Sequence, residues 1–249
     1  MTRGILYTVF GQEYDKLAAH TVAYSRQFTD LPICVLTNIT DRHEKWAGVS
    51  NISFTVIDIP QVENRAVKTE MISSTPFDQT LYLDCDSVIQ KEGVEEVFDC
   101  LGEDDILLNK LLGWQVGEKI IRLYKNAMLA SDVLLPIDVF NGAFICFKKN
   151  DRVRDFFTLW NECWKLTGSG REMPALACAV KKSAMSVKIT GKPHGFFEPD
   201  VPDEDCIVQH NYNSYKGKDF FKEFKLPIIR QCKPFDKPGS NSDWNFVEF

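Results

Sequence analysis

The sequence lacks most of the features that assign a protein to a class at once. No apolar run in its 249 residues approaches membrane-spanning length. No block of Lys or Arg occurs and the formal net charge is −6, so neither nucleic acid nor an anionic membrane is the expected partner. The eight cysteines contain no Cys-x-x-Cys pair, which removes the usual zinc and dithiol signatures. Cys34, Cys146 and Cys178 lie inside apolar segments and read as reduced, buried thiols of a cytoplasmic protein. Met1-Thr2-Arg3-Gly4 leads into neither an h-region nor a cleavage site, so no signal peptide is expected. Linkers, internal repeats and low-complexity stretches are also missing. What remains is an ordinary globular composition, 44% apolar and 26% charged, on a length that suits one large α/β domain or two small ones, and the missing linker favours one.

The residues that are present alternate between strand-like and helix-like patterns. Gly4–Phe10, Pro32–Asn38 and Ile52–Ile57 read as strands, with a helix from about Glu13 to Phe28 between the first two. That order predicts a parallel strand–helix–strand start. A helix over Arg65–Ser74 carries Lys68, and strands follow at Thr80–Leu83, Asp105–Leu108, Val139–Phe147, Met185–Ile189 and Cys206–His210. Helices are expected over Glu92–Leu101, over Asp151–Lys165 and from Glu172 onward, where Pro174 suits a first turn. The second has an apolar stripe of Val153, Phe156, Phe157, Trp160 and Trp164. Residues 112–130 read as a partly helical insertion. Asn141-Gly142 interrupts its strand, either as a hairpin turn or as a place where backbone approaches a ligand closely.

One stretch stands apart. Leu81-Tyr82-Leu83-Asp84-Cys85-Asp86 is an apolar run that ends in two carboxylates one residue apart. As a buried strand it delivers Asp84 and Asp86 to the strand's carboxyl end, where open α/β sheets form their ligand crevices. Side chains two apart on a strand share a face, so both carboxylates can serve one Mg²⁺ or Mn²⁺, and such a cation would neutralise a diphosphate. A second Asp-x-Asp, Asp203-Glu204-Asp205, has no apolar run before it and reads as a solvated acidic loop.

The pieces, taken in order, resemble the glycosyltransferases of the GT-A fold, particularly the glycogenin-like and galactosyltransferase-like family 8. The resemblance runs from Ile5 to about Gly217. It rests on a first strand ending near Thr8, a helix with Lys68, the segment Pro76 to Asp86, Phe140-Asn141-Gly142-Ala143, Glu172 before Pro174-Ala175-Leu176, and His210. It implies a mixed, mostly parallel central sheet in a single domain over 1–249. Residues to about 90 would form a nucleotide-binding half, those from about 91 to 217 an acceptor and sugar half, and 218–249 a C-terminal extension. It further implies that Asp84, Asp86 and His210 hold Mn²⁺ or Mg²⁺ against a UDP-sugar. Thr8 would lie by the base, Lys68 would help hold the donor, and Lys216-Gly217 would contact phosphate. Asn141 and Gly142 would line the sugar and acceptor pocket, and Glu172 is the candidate base. The acceptor would be a glycan or other hydroxyl compound, and a homodimer stays open. Two departures stand out: the family's Asn-x-Gly is here Asn141-Gly142-Ala143, and its Asp-Gln is Glu172-Met173.

Each site residue also has a plain alternative. His210 reads equally as structural, Lys68 as solvated, Glu172 as a favourable charge at a helix N-terminus, and Asn141-Gly142 as a turn. Rival functions are a haloacid-dehalogenase-like phosphatase, with Asp84 as nucleophile, and a non-catalytic nucleotide-sugar-binding relative. The phosphatase family, however, places its acidic loop on the first strand. A sugar-nucleotide pyrophosphorylase would need a Gly-rich basic loop after that strand, and Thr8-Val9-Phe10-Gly11-Gln12 is not one.

Overall fold

The structure is a computed structural model that describes residues 1–58, 64–110, 118–134, 138–168, 171–190, 197–199 and 205–210. Lys216, Gly217 and the extension 218–249 lie outside the described residues, as do Asp203 and Glu204 of the second acidic triplet. In chain order the elements begin β1 (Arg3–Val9), α1 (Gln12–Ser25), β2 (Ile33–Thr37), β3 (Ile52–Val56), α2 (Asn64–Met71) and β4 (Gln79–Leu83). They continue β5 (Ser87–Ile89), α3 (Glu96–Leu101), β6 (Ile106–Lys110), α4 (Glu118–Ala130), β7 (Phe140–Lys148) and α5 (Asp151–Leu166). The last are α6 (Glu172–Lys182), β8 (Val187–Thr190), β9 (Phe197–Pro199) and β10 (Val208–His210).

Seven strands form the central sheet in the order β3-β2-β1-β4-β7-β6-β8. All neighbouring pairs are parallel except those that β7 makes with β4 and β6. The expected mixed, mostly parallel sheet is therefore present, and so is the parallel β1–α1–β2 start. After β1 the chain builds outward through β2 and β3, then returns to lay β4 on the other side of β1. That reversal is the position at which α/β sheets open a crevice at their strand ends.

The sheet is covered on both faces, as its near-continuous apolar strands require. Along β1, Ile5, Tyr7 and Val9 join one apolar layer with Leu17 and Val22 of α1 and Phe98 of α3. Leu6 and Phe10 join the other with Phe156, Phe157, Trp160 and Trp164 of α5 and Leu176 of α6. The aromatic stripe of α5 is thus core. Gly11 ends β1 at φ 97°, a left-handed backbone that favours glycine. β3 alternates because it is an edge strand, half open to solvent. Asn141-Gly142 is not a hairpin turn. It lies within β7, where the register with β6 jumps from Leu108↔Ile145 to Asn109↔Asn141. The insertion is helical from Glu118 on.

A second, three-stranded sheet, β5-β10-β9, stands beside the first. Two of its strands, β5 and β9, were not expected from the sequence. β10 pairs antiparallel with β5, His210 opposite Ser87. The seven described cysteines are free. No helix among the described residues is long and apolar enough to cross a membrane.

Candidate functional site

β4 is buried along its whole length and stops at Leu83, so Asp84 and Asp86 both lie beyond the strand. Asp84 and Asp86 do not share a strand face. They occupy a tight turn closed by the Ser87 amide donating to the Asp84 carbonyl at 2.9 Å. The Asp84 amide in turn donates to the Ala143 carbonyl of β7 at 3.1 Å, so the irregular stretch of β7 fixes where the turn starts. Cys85 points into the apolar layer. Burial and the two flanking carboxylates push its thiol well up.

The β10–β5 ladder brings His210 to this turn, with its Nε2 3.2 Å from Asp86 Oδ1. Ligating atoms of Asp84, Asp86 and His210 all lie within 4.8 Å of one another. Burial would push the Asp86 carboxyl up, but His210, its own backbone amide and Lys68 hold it below the usual range. Two carboxylates and one imidazole are a donor set that fits a divalent cation.

Lys68 is not a solvated helix charge. It is 4% exposed, and its Nζ donates to Asp84 Oδ1 at 2.8 Å and to Glu172 Oε1 at 3.4 Å. Burial alone would lower its pKa, but the two carboxylates raise it above the ordinary lysine value. Glu172 opens α6 and also faces Arg65 Nε at 3.3 Å. Burial would raise its carboxyl, yet Lys68 and Arg65 hold it below the usual range. Gly142 lies against this pair: a Cβ there would stand 3.3 Å from Lys68 Nζ and 3.7 Å from Glu172 Oε1. Asn141 Oδ1 accepts the Ala143 amide at 2.7 Å, so its side-chain carbonyl braces the kink in β7.

Of the expected residues, Asp84, Asp86, His210, Lys68, Glu172 and Gly142 come together, and Asn141 shapes the backbone beside them. Thr8 is buried at the carboxyl end of β1 and joins them through Tyr82, its Oγ1 3.1 Å from the phenol oxygen. Two residues of the cluster carried no expected role. Tyr82 donates from its hydroxyl to Asp84 Oδ1 at 2.7 Å, and Arg65 flanks Glu172. The signal for Tyr82 was present in the sequence as its place two positions before Asp84.

No protein-family model and no curated protein matches the sequence. Solved structures do. The galactosyltransferase LgtC, solved in complex with donor and acceptor sugar analogues, aligns with a TM-score of 0.57, over 92% of this chain and 98% of its own, at 15% identity. An active-site variant of LgtC gives 0.54 over 92% and 98% at 14% identity. The bifunctional glycosyltransferase WbbM, in its apo form, gives 0.57 at 8% identity, over 85% of this chain and 46% of its own. At these identities the likeness is one of fold, and the fold is that of the GT-A glycosyltransferases.

Proposed function

We propose that this chain is a metal-dependent glycosyltransferase. It moves a sugar from a nucleoside-diphosphate sugar, a UDP-sugar foremost, to a hydroxyl of a glycan or other acceptor. One observation carries the reading: the Asp84/Asp86 pair and His210, far from it in sequence, converge at the carboxyl end of β4, at the sheet's reversal point. Asp84, Asp86 and His210 would hold Mn²⁺ or Mg²⁺. When bound, such a cation neutralises the negative charge that a departing nucleoside diphosphate carries.

The chain's own residues supply the rest. Thr8, at the end of the neighbouring strand, is assigned to the nucleotide side of the crevice. Lys68 cannot reach a donor directly without leaving two carboxylates, so its role is to hold Asp84 and Glu172 in place and add positive potential beside the leaving group. Glu172, held ionised by Lys68 and Arg65, is a poor proton acceptor, since a low pKa weakens a base. We assign it to accepting hydrogen bonds from hydroxyls of the sugar. Gly142 leaves room for the substrate over the Lys68–Glu172 pair, and Lys216 is proposed to meet phosphate.

Calorimetry with UDP tests the reading. Affinity should rise steeply when Mn²⁺ is added, collapse in Asp86→Ala, and be followed by UDP release from one member of a panel of UDP-sugars. Equal UDP affinity in Mn²⁺ and in EDTA refutes it.

A further inference from the structure

Asp84 receives two hydrogen bonds, and both go to one oxygen. Lys68 Nζ donates to Oδ1 at 2.8 Å and the Tyr82 hydroxyl donates to Oδ1 at 2.7 Å. A carboxylate oxygen offers about two lone-pair sites, so Oδ1 is saturated. Among the described residues no hydrogen bond reaches Oδ2. Tyr82 has only one hydroxyl proton and spends it on Asp84, so the contact at 3.1 Å is Thr8 Oγ1 donating to the phenol oxygen. Thr8 thereby fixes the rotor of the Tyr82 hydroxyl. Lys68 Nζ also stands 5.2 Å from the centre of the Tyr82 ring, so the two donors brace one another. Tyr82 is buried in β4, on a rigid element rather than on a loop.

We propose that Tyr82, backed by Thr8 and paired with Lys68, makes Asp84 a one-oxygen ligand and so tunes the cation site toward Mn²⁺ and away from Ca²⁺. The inference rests on the metal-binding reading of Asp84, Asp86 and His210. Its physical basis is coordination number. Ca²⁺ takes six to eight oxygens and exploits carboxylates that chelate through both of theirs, whereas Mn²⁺ accepts fewer ligands and tolerates imidazole. An Asp84 whose Oδ1 is already occupied cannot chelate. Tyr82 is therefore a positioning residue: it touches the ligand and sets which atoms the ligand offers.

The test uses the full chain and the metals alone. Mn²⁺ binding is read from loss of the free-ion electron paramagnetic resonance signal, and Ca²⁺ binding from its displacement of Mn²⁺. Tyr82→Phe keeps the ring and opens one of the two lone-pair sites of Oδ1, leaving the other with Lys68. Mn²⁺ affinity should fall by about ten-fold, the low end for loss of a group that orients a ligand. Ca²⁺ affinity should hold or rise, so that the Mn²⁺/Ca²⁺ ratio falls by about ten-fold or more. Thr8→Val should shift the ratio the same way by less. Tyr82→Phe combined with Thr8→Val removes both hydroxyls without stranding either, and provides a folded variant if the single change unfolds. A purely structural role weakens both metals equally, so an unchanged ratio in a folded variant overturns the proposal. If the wild-type chain binds no Mn²⁺, or Asp86→Ala binds it as well as wild type, the metal site itself is wrong and the proposal falls with it. If wild type binds and Asp86→Ala does not, the site stands and Tyr82 alone is judged.

Discussion

Replacing Lys68 by Met deletes the one buried cation between two carboxylates while keeping most of the side-chain volume. Its Nζ lies 2.8 Å from Asp84 and 3.4 Å from Glu172. Removing one partner of a buried pair costs about 3–5 kcal/mol, because the other charge is left uncompensated. Here the low end applies. Arg65 stays 3.3 Å from Glu172, and its own side chain is 43% exposed, so part of the compensation survives in a well-screened place. A loss of about 3 kcal/mol in a chain of this size corresponds to a fall in Tm of about 6–12 °C. The measurement is thermal unfolding in EDTA, since a cation bound at the acidic turn would stabilise the fold by mass action.

A double-mutant cycle makes the reasoning refutable. Glu172→Gln alone should cost less than Lys68→Met, and the double variant should recover about half of the lysine variant's loss, since the stranded charge is gone. The pH dependence carries the sign. Glu172, held low in the folded state, contributes stability that is complete above its unfolded pKa and is lost as pH falls through the folded value. Lys68, held high, contributes stability that is complete below its unfolded pKa and is lost as pH rises through the folded value. The gap in Tm between wild type and Lys68→Met should therefore be flat across the neutral range. A fall in Tm under about 2 °C, strict additivity in the cycle, or a gap that varies steeply near neutral pH would each refute a buried, coupled pair.

Two further outcomes are expected away from the site. Gly4→Ala puts a Cβ 2.5 Å from the Phe77 ring, so denaturant unfolding should show a loss of about 1–3 kcal/mol from overpacking, largely relieved by Phe77→Leu. Among the described cysteines, native-state labelling with a thiol reagent should be fast only at half-buried Cys100, because Cys34, Cys85, Cys146, Cys163, Cys178 and Cys206 are buried and burial holds Cys178, for one, at a pKa of about 11.

Much of the fold was legible because its strands are buried on both faces and therefore read as short, unbroken apolar runs. Pro32–Asn38 and Thr80–Leu83 became β2 and β4 nearly residue for residue. β5 and β9 were not legible: each has three residues, too few for a period to show. Asn141-Gly142 left a choice between a hairpin turn and a close backbone approach, and the turn is the alternative that fails. Asn-Gly is a hairpin signal only when both flanking runs pair with each other, and here both belong to one strand whose partners are β4 and β6. The acidic pair was located correctly for a reason that does not hold. The strand period does not bring Asp84 and Asp86 together; a turn closed on Ser87 does.

The same comparison explains why Lys68 looked bland and Tyr82 looked like core. A lone Lys on a short helix is solvated by default, and only tertiary structure reveals that α2 lies against β1 and α5 with Lys68 aimed at the acid end of β4. Tyr82 is 2% exposed, and its ring does sit in the apolar layer. Its hydroxyl reaches out of that layer because Tyr82 and Asp84 are two residues apart where the strand gives way to the turn. A buried Tyr at that offset from a carboxylate has to find a hydrogen-bond partner, and the carboxylate is the nearest acceptor the chain direction offers. The spacing Tyr-x-Asp at a strand's carboxyl end thus carries information that Asp-x-Asp alone does not: it indicates which carboxylate is held rigid, and through which oxygen.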